Sequence, residues 1–263
     1  MKHFDAVSAI AVNTFRETVR DRIIYAFILF AFAITIIASL LGSLSVGQDV
    51  RILEDIGLTA ISLIGGALAV FAGTNLVYKE LERRTVYIIF TKPVTGWQFI
   101  TGKYIGLSLC ILMIVTAMGL FLAILLSLTQ AQNIADVLNR ICEPLALVYM
   151  ELLFVIAAAT FFSTFASPMM SVLFTLSLWL IGHFSDSFKS LGQLSQSPIF
   201  QSFTDAVYML IPDLATLTKT RAVLMYGQHP QTELLSFITC YVCGYVLLLL
   251  VLASLVTEQR EFP

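Results

Sequence analysis

The chain has 263 residues, 58% of them hydrophobic and 12% charged, with a mean hydropathy of +0.89. A soluble domain carries about 25% charged residues to solvate its surface, so half that charge leaves too little polar surface to face water all round, and lipid must be the solvent for much of the chain. A formal net charge of −2 argues against nucleic acid as a partner, because phosphate binding needs a surplus of Lys and Arg.

Before the first apolar stretch, Phe4, Val7, Ala11, Phe15 and Val19 recur at helical steps, with Asp5, Asn13, Arg16, Glu17 and Arg20 on the other faces. Residues 1–22 therefore read as an amphipathic helix lying in the membrane interface; a helix packed on a partner's surface is the alternative. The apolar stretch that follows starts at Ile23 and is too long for the h-region of a cleavable leader, so a retained anchor is expected.

A bilayer core of roughly 30 Å needs about 20 apolar residues at about 1.5 Å each. Six segments approach that length: Ile23–Leu44, Ile56–Tyr78, Tyr104–Leu128, Pro144–Phe165, Met169–Phe184 and Leu234–Val256. The fifth is short and calls for flanking residues or a thinned bilayer. The expected fold is an all-α integral membrane protein with six transmembrane helices in a single domain. With six spans both termini share one side with the 79–103 loop. That side holds Lys2, Arg16, Arg20, Arg22, Lys79, Arg83, Arg84, Lys92, Lys103 and Arg260, against Arg51, Arg140, Lys189, Lys219 and Arg221 opposite. The basic residues thus place the termini in the cytoplasm.

Residues 185–233 form a long outer segment. Ser185–Ser197 is rich in Ser, Gln and Gly and reads as a loop. Phe200–Met225 is moderately apolar, interrupted at Pro212–Asp213, and suits a helical hairpin dipping into the outer leaflet, tolerable only if protein covers its backbone.

Several residues inside or beside the spans invite a functional reading. Glu151 is the only clear ionisable residue deep within an expected span, roughly two helical turns from the outer end of the fourth. A carboxyl in hydrocarbon is costly and marks a substrate path or proton relay by default; a hydrogen-bonded packing residue, with Thr160 or Asn75 as partner, is the alternative. Gly65, Gly66 and Gly73 give the second span a narrow face, and Gly102 and Gly106 do the same for the third, which suits close helix packing. Of the four cysteines, Cys110, Cys240 and Cys243 fall inside apolar segments, so no disulfide framework is expected. Cys240 and Cys243 sit on one helical face and make a weak copper(I) candidate beside Met209, Met225 and His229, but an interior pair of small apolar residues suits them better. His3, His183 and His229 lie far apart in sequence, with no constellation for a membrane enzyme. Gly96–Lys103 is no P-loop: five residues separate the glycines, Tyr104 replaces the Ser or Thr, and no strand precedes it.

The most informative stretch runs from Lys79 to Lys103. Val86, Ile89 and Phe90 share a face of a helix expected from about Glu80 to Thr91, which Pro93 ends. Trp97, Phe99 and Ile100 open a second amphipathic run into the third span. Such a bent elbow suits docking into a groove on a cytoplasmic partner, or resting on the inner leaflet.

Here the chain resembles the permeases of type-2 (ABC-2-type) ABC exporters, particularly the Nos-type subgroup linked to copper-enzyme maturation. Those permeases carry a Glu-x-x-Thr helix, a Pro-Val-Ser/Thr turn and a Gly-Lys at the third span, matched by Glu82, Thr85, Pro93, Val94, Thr95, Gly102 and Lys103. Arg84 departs from the glycine usual before the threonine. The resemblance implies a type V exporter-like architecture, with a homodimer or pseudo-dimer of permeases in the bacterial inner membrane. Each would sit on a separate ABC ATPase that binds ATP and Mg, with no cofactor or catalysis in this chain, and an extracytoplasmic accessory protein is a further candidate partner. It also implies that Glu80–Phe90 is the coupling helix. Glu80, Glu82, Arg83, Arg84, Thr85 and Pro93 would set its charges and bend, and Tyr87 and Phe90 would fill the ATPase groove. The rivals are an ion-driven secondary transporter using Glu151, which would usually show paired intramembrane charges or inverted repeats, and a membrane subunit that transmits force without moving cargo.

Overall fold

The computed structural model describes residues 2–43, 49–82, 95–130, 133–187, 190, 201, 204, 212–225 and 232–259. They are helical almost throughout, with no strand among the described residues. The principal helices are α1 (Lys2–Val19), α2 (Arg22–Ser43), α3 (Asp49–Glu82), α4 (Gly96–Gln130), α5 (Ile134–Ser163), α6 (Pro168–His183), α7 (Leu214–Met225) and α8 (Thr232–Gln259). Four stretches are long and apolar enough to cross a membrane: Val50–Thr74, Gly96–Thr129, Ile134–Ser163 and Glu233–Gln259. Two shorter apolar stretches, Ile24–Ile37 and Pro168–His183, lie in α2 and α6.

Helices replace strands because hydrocarbon offers the backbone no partner, so each N–H and C=O must bond within its own segment. Hydroxyls follow the same rule: Thr74 donates to the Val70 carbonyl at 2.9 Å and Thr175 to the Ser171 carbonyl at 2.7 Å. The ends are set by local chemistry. At the start of α4 the Gln98 side chain reaches back and accepts from the Thr95 N–H at 3.2 Å, half of a capping box. Between α5 and α6, extended Ser167 and Pro168 in the first turn start the new helix within a few residues.

Several helices begin earlier than their apolar cores suggest. α5 starts at Ile134 instead of Pro144, and Pro144 lies inside it. The polar stretch ahead of that proline is an extra set of helical turns, fastened by an ion pair between Arg140 and the buried Glu54 of α3. Glu54, near the start of the apolar stretch Val50–Thr74, is thus a second buried carboxyl beside Glu151.

α5 is the axle of the bundle. Phe154 through Thr160 are all buried, and the helix packs against α3, α4, α6, α7 and α8. Close approach depends on small residues. A Cβ on Gly65 would meet Leu152, one on Gly66 the Trp179 ring, and one on Gly73 the Cβ of Ala159.

α1 packs its apolar side on the base of α4, with Ala11, Thr14 and Thr18 buried and Val7, Phe15 and Val19 partly so. Gly102 fits beside Ile10, and Gly106 against the Ala11 carbonyl. Gly96 lies beside Thr257 and Glu258 of α8. The N-terminal helix, the start of α4 and the end of α8 thus gather at one end of the bundle.

Adding a methyl at Gly106 drives it into a backbone oxygen that cannot swing away. Gly106→Ala is expected to cost about 1–3 kcal/mol and to lower the melting temperature of the purified protein. Gly244→Ala, where a Cβ meets nothing within 4 Å, should leave the melting temperature unchanged or raise it slightly. Equal thermal shifts for the two variants would refute this account of the α1–α4 contact.

Candidate functional site

Glu151 is the eighteenth of the 30 residues of α5, so the early start of that helix moves it from near one end to about the middle. Its side chain is 2% exposed. Three residues from two other helices converge on it. Ser62 of α3 donates to the carboxylate, 3.1 Å from each oxygen. The indole N–H of Trp179 on α6 donates to Oε1 at 2.8 Å, and His183 Nε2 lies 3.4 Å from the same oxygen. Thr160, expected as a partner, donates instead to the Ala157 carbonyl of its own helix; the Asn75 side chain lies outside the described residues.

Local sequence explains the meeting. Trp179 and His183 are four residues apart on α6, hence on one face. Gly66, one turn beyond Ser62 on α3, leaves room for the Trp179 ring that a Cβ would displace. The His183 ring stands edge-on to the indole, with centroids 5.6 Å apart.

The ring nitrogens define the chemistry. His183 Nδ1 lies 3.0 Å from the Trp179 carbonyl, which only accepts, so hydrogen-bonding assigns the proton to Nδ1. Nε2 then faces Glu151 Oε1. The side chain of His183 is 28% exposed.

α7 adds a cation. Arg221 is 6% exposed and interacts electrostatically with Glu151 and with Asp55 of α3. Burial pulls the guanidinium's pKa down, and the two carboxylates oppose the shift; an arginine keeps its charge under such opposition. Asp213, just before α7, caps the helix: its Oδ1 accepts from the Thr216 N–H at 3.2 Å and from Ser185 Oγ at 2.7 Å, and its Oδ2 from Thr216 Oγ1 at 2.6 Å. Of the hairpin expected over Phe200–Met225, the described part is thus a capped helix resting on α5, α6 and α3. Residues 205–211 lie outside the described residues.

Ser62, Trp179, His183, Arg221, Glu54 and Arg140 were not legible as partners from sequence, and His183 in particular is not the isolated residue its spacing suggests. One signal was available: the Trp179–His183 pair puts two polar edges on one face of an otherwise apolar helix.

The other expected sites divide. Cys240 and Cys243 are free thiols exposed on α8 of the single chain. Among the described residues no group of three or more His, Cys, Asp or Glu gathers to hold a metal. Met209 and His229 lie outside the described residues, as do Arg83, Arg84, Thr85, Tyr87, Phe90 and Pro93 of the expected coupling segment. Glu80 and Glu82 belong to the last turns of α3.

The family model described as ABC-2 family transporter protein matches residues 8–261, nearly the whole chain. The chain belongs to the ABC-2 family of transporter proteins. It is a multi-pass membrane permease subunit of an ABC transporter, a role that pairs it with an ATPase subunit and is generally not itself catalytic. No curated protein matches the chain.

The permease therefore carries a buried carboxylate held by donors from two other helices, where removal of one donor leaves a charged acceptor short of a partner. Trp179→Phe is expected to destabilise the protein by about 1–3 kcal/mol. Glu151→Gln and Trp179→Phe together should show a coupling energy of about 0.5–3 kcal/mol. Additive shifts in denaturation midpoint would mean that the indole and the carboxylate do not support one another.

Proposed function

We propose that this permease couples ATP hydrolysis by a separate ABC ATPase, which binds ATP and Mg, to outward movement of a substrate across the bacterial inner membrane. In this reading α2 and α6 join the four longer spans to make six, the termini are cytoplasmic, and α1 rests at the inner interface. Two permeases, identical or homologous, would form the membrane unit. The Glu-x-x-Thr, Pro-Val-Thr and Gly-Lys signatures favour the Nos-type subgroup linked to copper-enzyme maturation.

One observation carries the coupling role. Beyond its apolar stretch Val50–Thr74, α3 continues as a single helix to Glu82, about 12 Å further at 1.5 Å per residue. α4 begins at Gly96, so the segment between 82 and 96 is attached to two stiff rods, each of which enters the bundle. A push on Tyr87 and Phe90 from an ATPase would move α3 as a body. Ser62 lies on the same rod, so movement of α3 reaches the Glu151 cluster. Glu151 is then the candidate for contact with the substrate path.

Three measurements test these roles. Tyr87→Ala or Phe90→Ala should release the ATPase on affinity purification while the permease stays in the membrane; unchanged co-purification removes the elbow from the mechanism. Thr95→Cys, in an otherwise cysteine-free chain, should react with an impermeant maleimide only after the cytoplasmic side is opened. Reaction from outside intact cells inverts the topology. Glu151→Gln should change transport or stimulated ATPase activity at normal protein yield, and wild-type activity in that variant would leave the carboxylate a packing residue.

A further inference from the structure

The corner between α1 and α2 carries a patch that neither the Glu151 cluster nor the coupling segment uses. α1 turns Ala11, Thr14 and Thr18 into the bundle. Arg16 and Arg20 fall about half a turn round the helix from them and are exposed on the opposite face. The chain then passes tightly into α2: the Asp21 N–H donates to the Thr18 carbonyl at 3.0 Å, and the Ile24 N–H donates to the Asp21 carbonyl at 3.2 Å. Arg22, the first residue of α2, is exposed as well. One helical turn, about 6 Å, separates Arg16 from Arg20, and the Cα atoms of Arg20 and Arg22 are at most about 7.6 Å apart. None of the three makes an ion pair among the described residues. Of the acids nearby, Glu17 lies about 100° round α1 from Arg16, Asp5 about 16 Å along the helix, and Asp21 has an interaction of its own. The outward face of the corner is cationic.

Beyond the arginines the same side of α2 is apolar. Tyr25, Leu29 and Ile36 fall on the face of Arg22, at steps of three, four and seven residues, and are 59%, 71% and 47% exposed. From Arg22 to Ile36 that face runs about 21 Å, more than half of a bilayer core of roughly 30 Å. Tyr25 stands one turn in, at the depth where tyrosine rings settle between headgroups and chains. Guanidinium groups beside an exposed hydrocarbon stripe complement an anionic phosphate joined to acyl chains in both halves, and arginine's planar fork takes phosphate oxygens in pairs. A zwitterionic phospholipid brings a cation of its own, which the arginines repel. An acidic protein surface would match the arginines and leave Leu29 and Ile36 uncovered. We propose that the α1–α2 corner holds an anionic phospholipid, its phosphate on Arg16, Arg20 and Arg22 and its chains along Tyr25, Leu29 and Ile36. The proposal rests on the reading of α2 as a span with α1 at the interface. Because Gly102 and Gly106 seat α1 on the base of α4, the lipid would anchor the end of the bundle at which the coupling segment enters α4.

The test uses the full-length permease, alone and with its ATPase, in nanodiscs of phosphatidylcholine. Each preparation contains a trace of phosphatidylglycerol or of phosphatidylcholine bearing a diazirine near the top of the same acyl chain. Peptides covering residues 16–37 should take up the phosphatidylglycerol label at least about tenfold more. Each of Arg16→Gln, Arg20→Gln and Arg22→Gln should lower that preference about two- to fivefold. The triple Gln variant should remove it, whereas the triple Lys variant, which keeps the charge, should retain most of it. Equal labelling by the two lipids leaves α2 in the bilayer and overturns the headgroup preference. Absence of label on α2 from either lipid overturns its reading as a lipid-facing span, and the proposal with it. Complete competition by free glycerol phosphate assigns the arginines to a soluble anion, and loss of label when the ATPase binds assigns them to that subunit. Either result overturns the proposal, as does an undiminished preference in the triple Gln variant.

Discussion

A polar group in hydrocarbon has only the protein to turn to, and in this chain that constraint is concentrated on the Glu151 carboxylate. It sits buried on α5, which packs against five other helices. Its oxygens draw one hydroxyl from α3 and an indole N–H and an imidazole from α6, while α7 brings a guanidinium within electrostatic reach. Association between helices in lipid gains little from the hydrophobic effect, since lipid tails are as apolar as leucine, and relies on close packing and interhelical hydrogen bonds. Removing the carboxylate would thus strip specificity from several helix contacts at once.

The small residues make that arrangement reachable. Gly65, Gly66 and Gly73 let α3 approach α5 and α6 at distances where any side chain would collide, and Gly66 yields its space to the ring that serves Glu151. The same economy holds at the other end of the bundle, where Gly102 and Gly106 seat α1 against α4. The stripes and the acid are parts of one device: glycines bring the rods together, and the polar cluster fixes their register.

The rods also relate the two ends of the molecule. α3 carries Ser62 at the cluster and Glu82 where the proposed coupling segment begins, some 20 residues or about 30 Å apart along one helix. A rigid helix transmits rotation and translation over that distance with little loss, whereas a loop would absorb it. α7 forms a second arm, resting on α5 and α6 with Arg221 within electrostatic reach of Glu151.

The sequence by itself determined the solvent, the helical class and most of the helix positions, because apolar length and periodicity are local properties. The Lys79–Lys103 signature likewise resembled the family to which the chain belongs, since motif spacing is written along the chain. Helix ends were less legible: Asp136, Arg140 and Glu143 look like loop residues, and only the ion pair to Glu54 on another helix shows why they continue α5. Glu151 stood out as a charge out of place, but its partners Ser62, Trp179, His183 and Arg221 lie 28 to 89 residues away for the bonds that are direct. Which donors reach a buried acid is decided by how helices cross, and crossing is fixed by side-chain volume at contacts between distant segments. That information belongs to the tertiary structure.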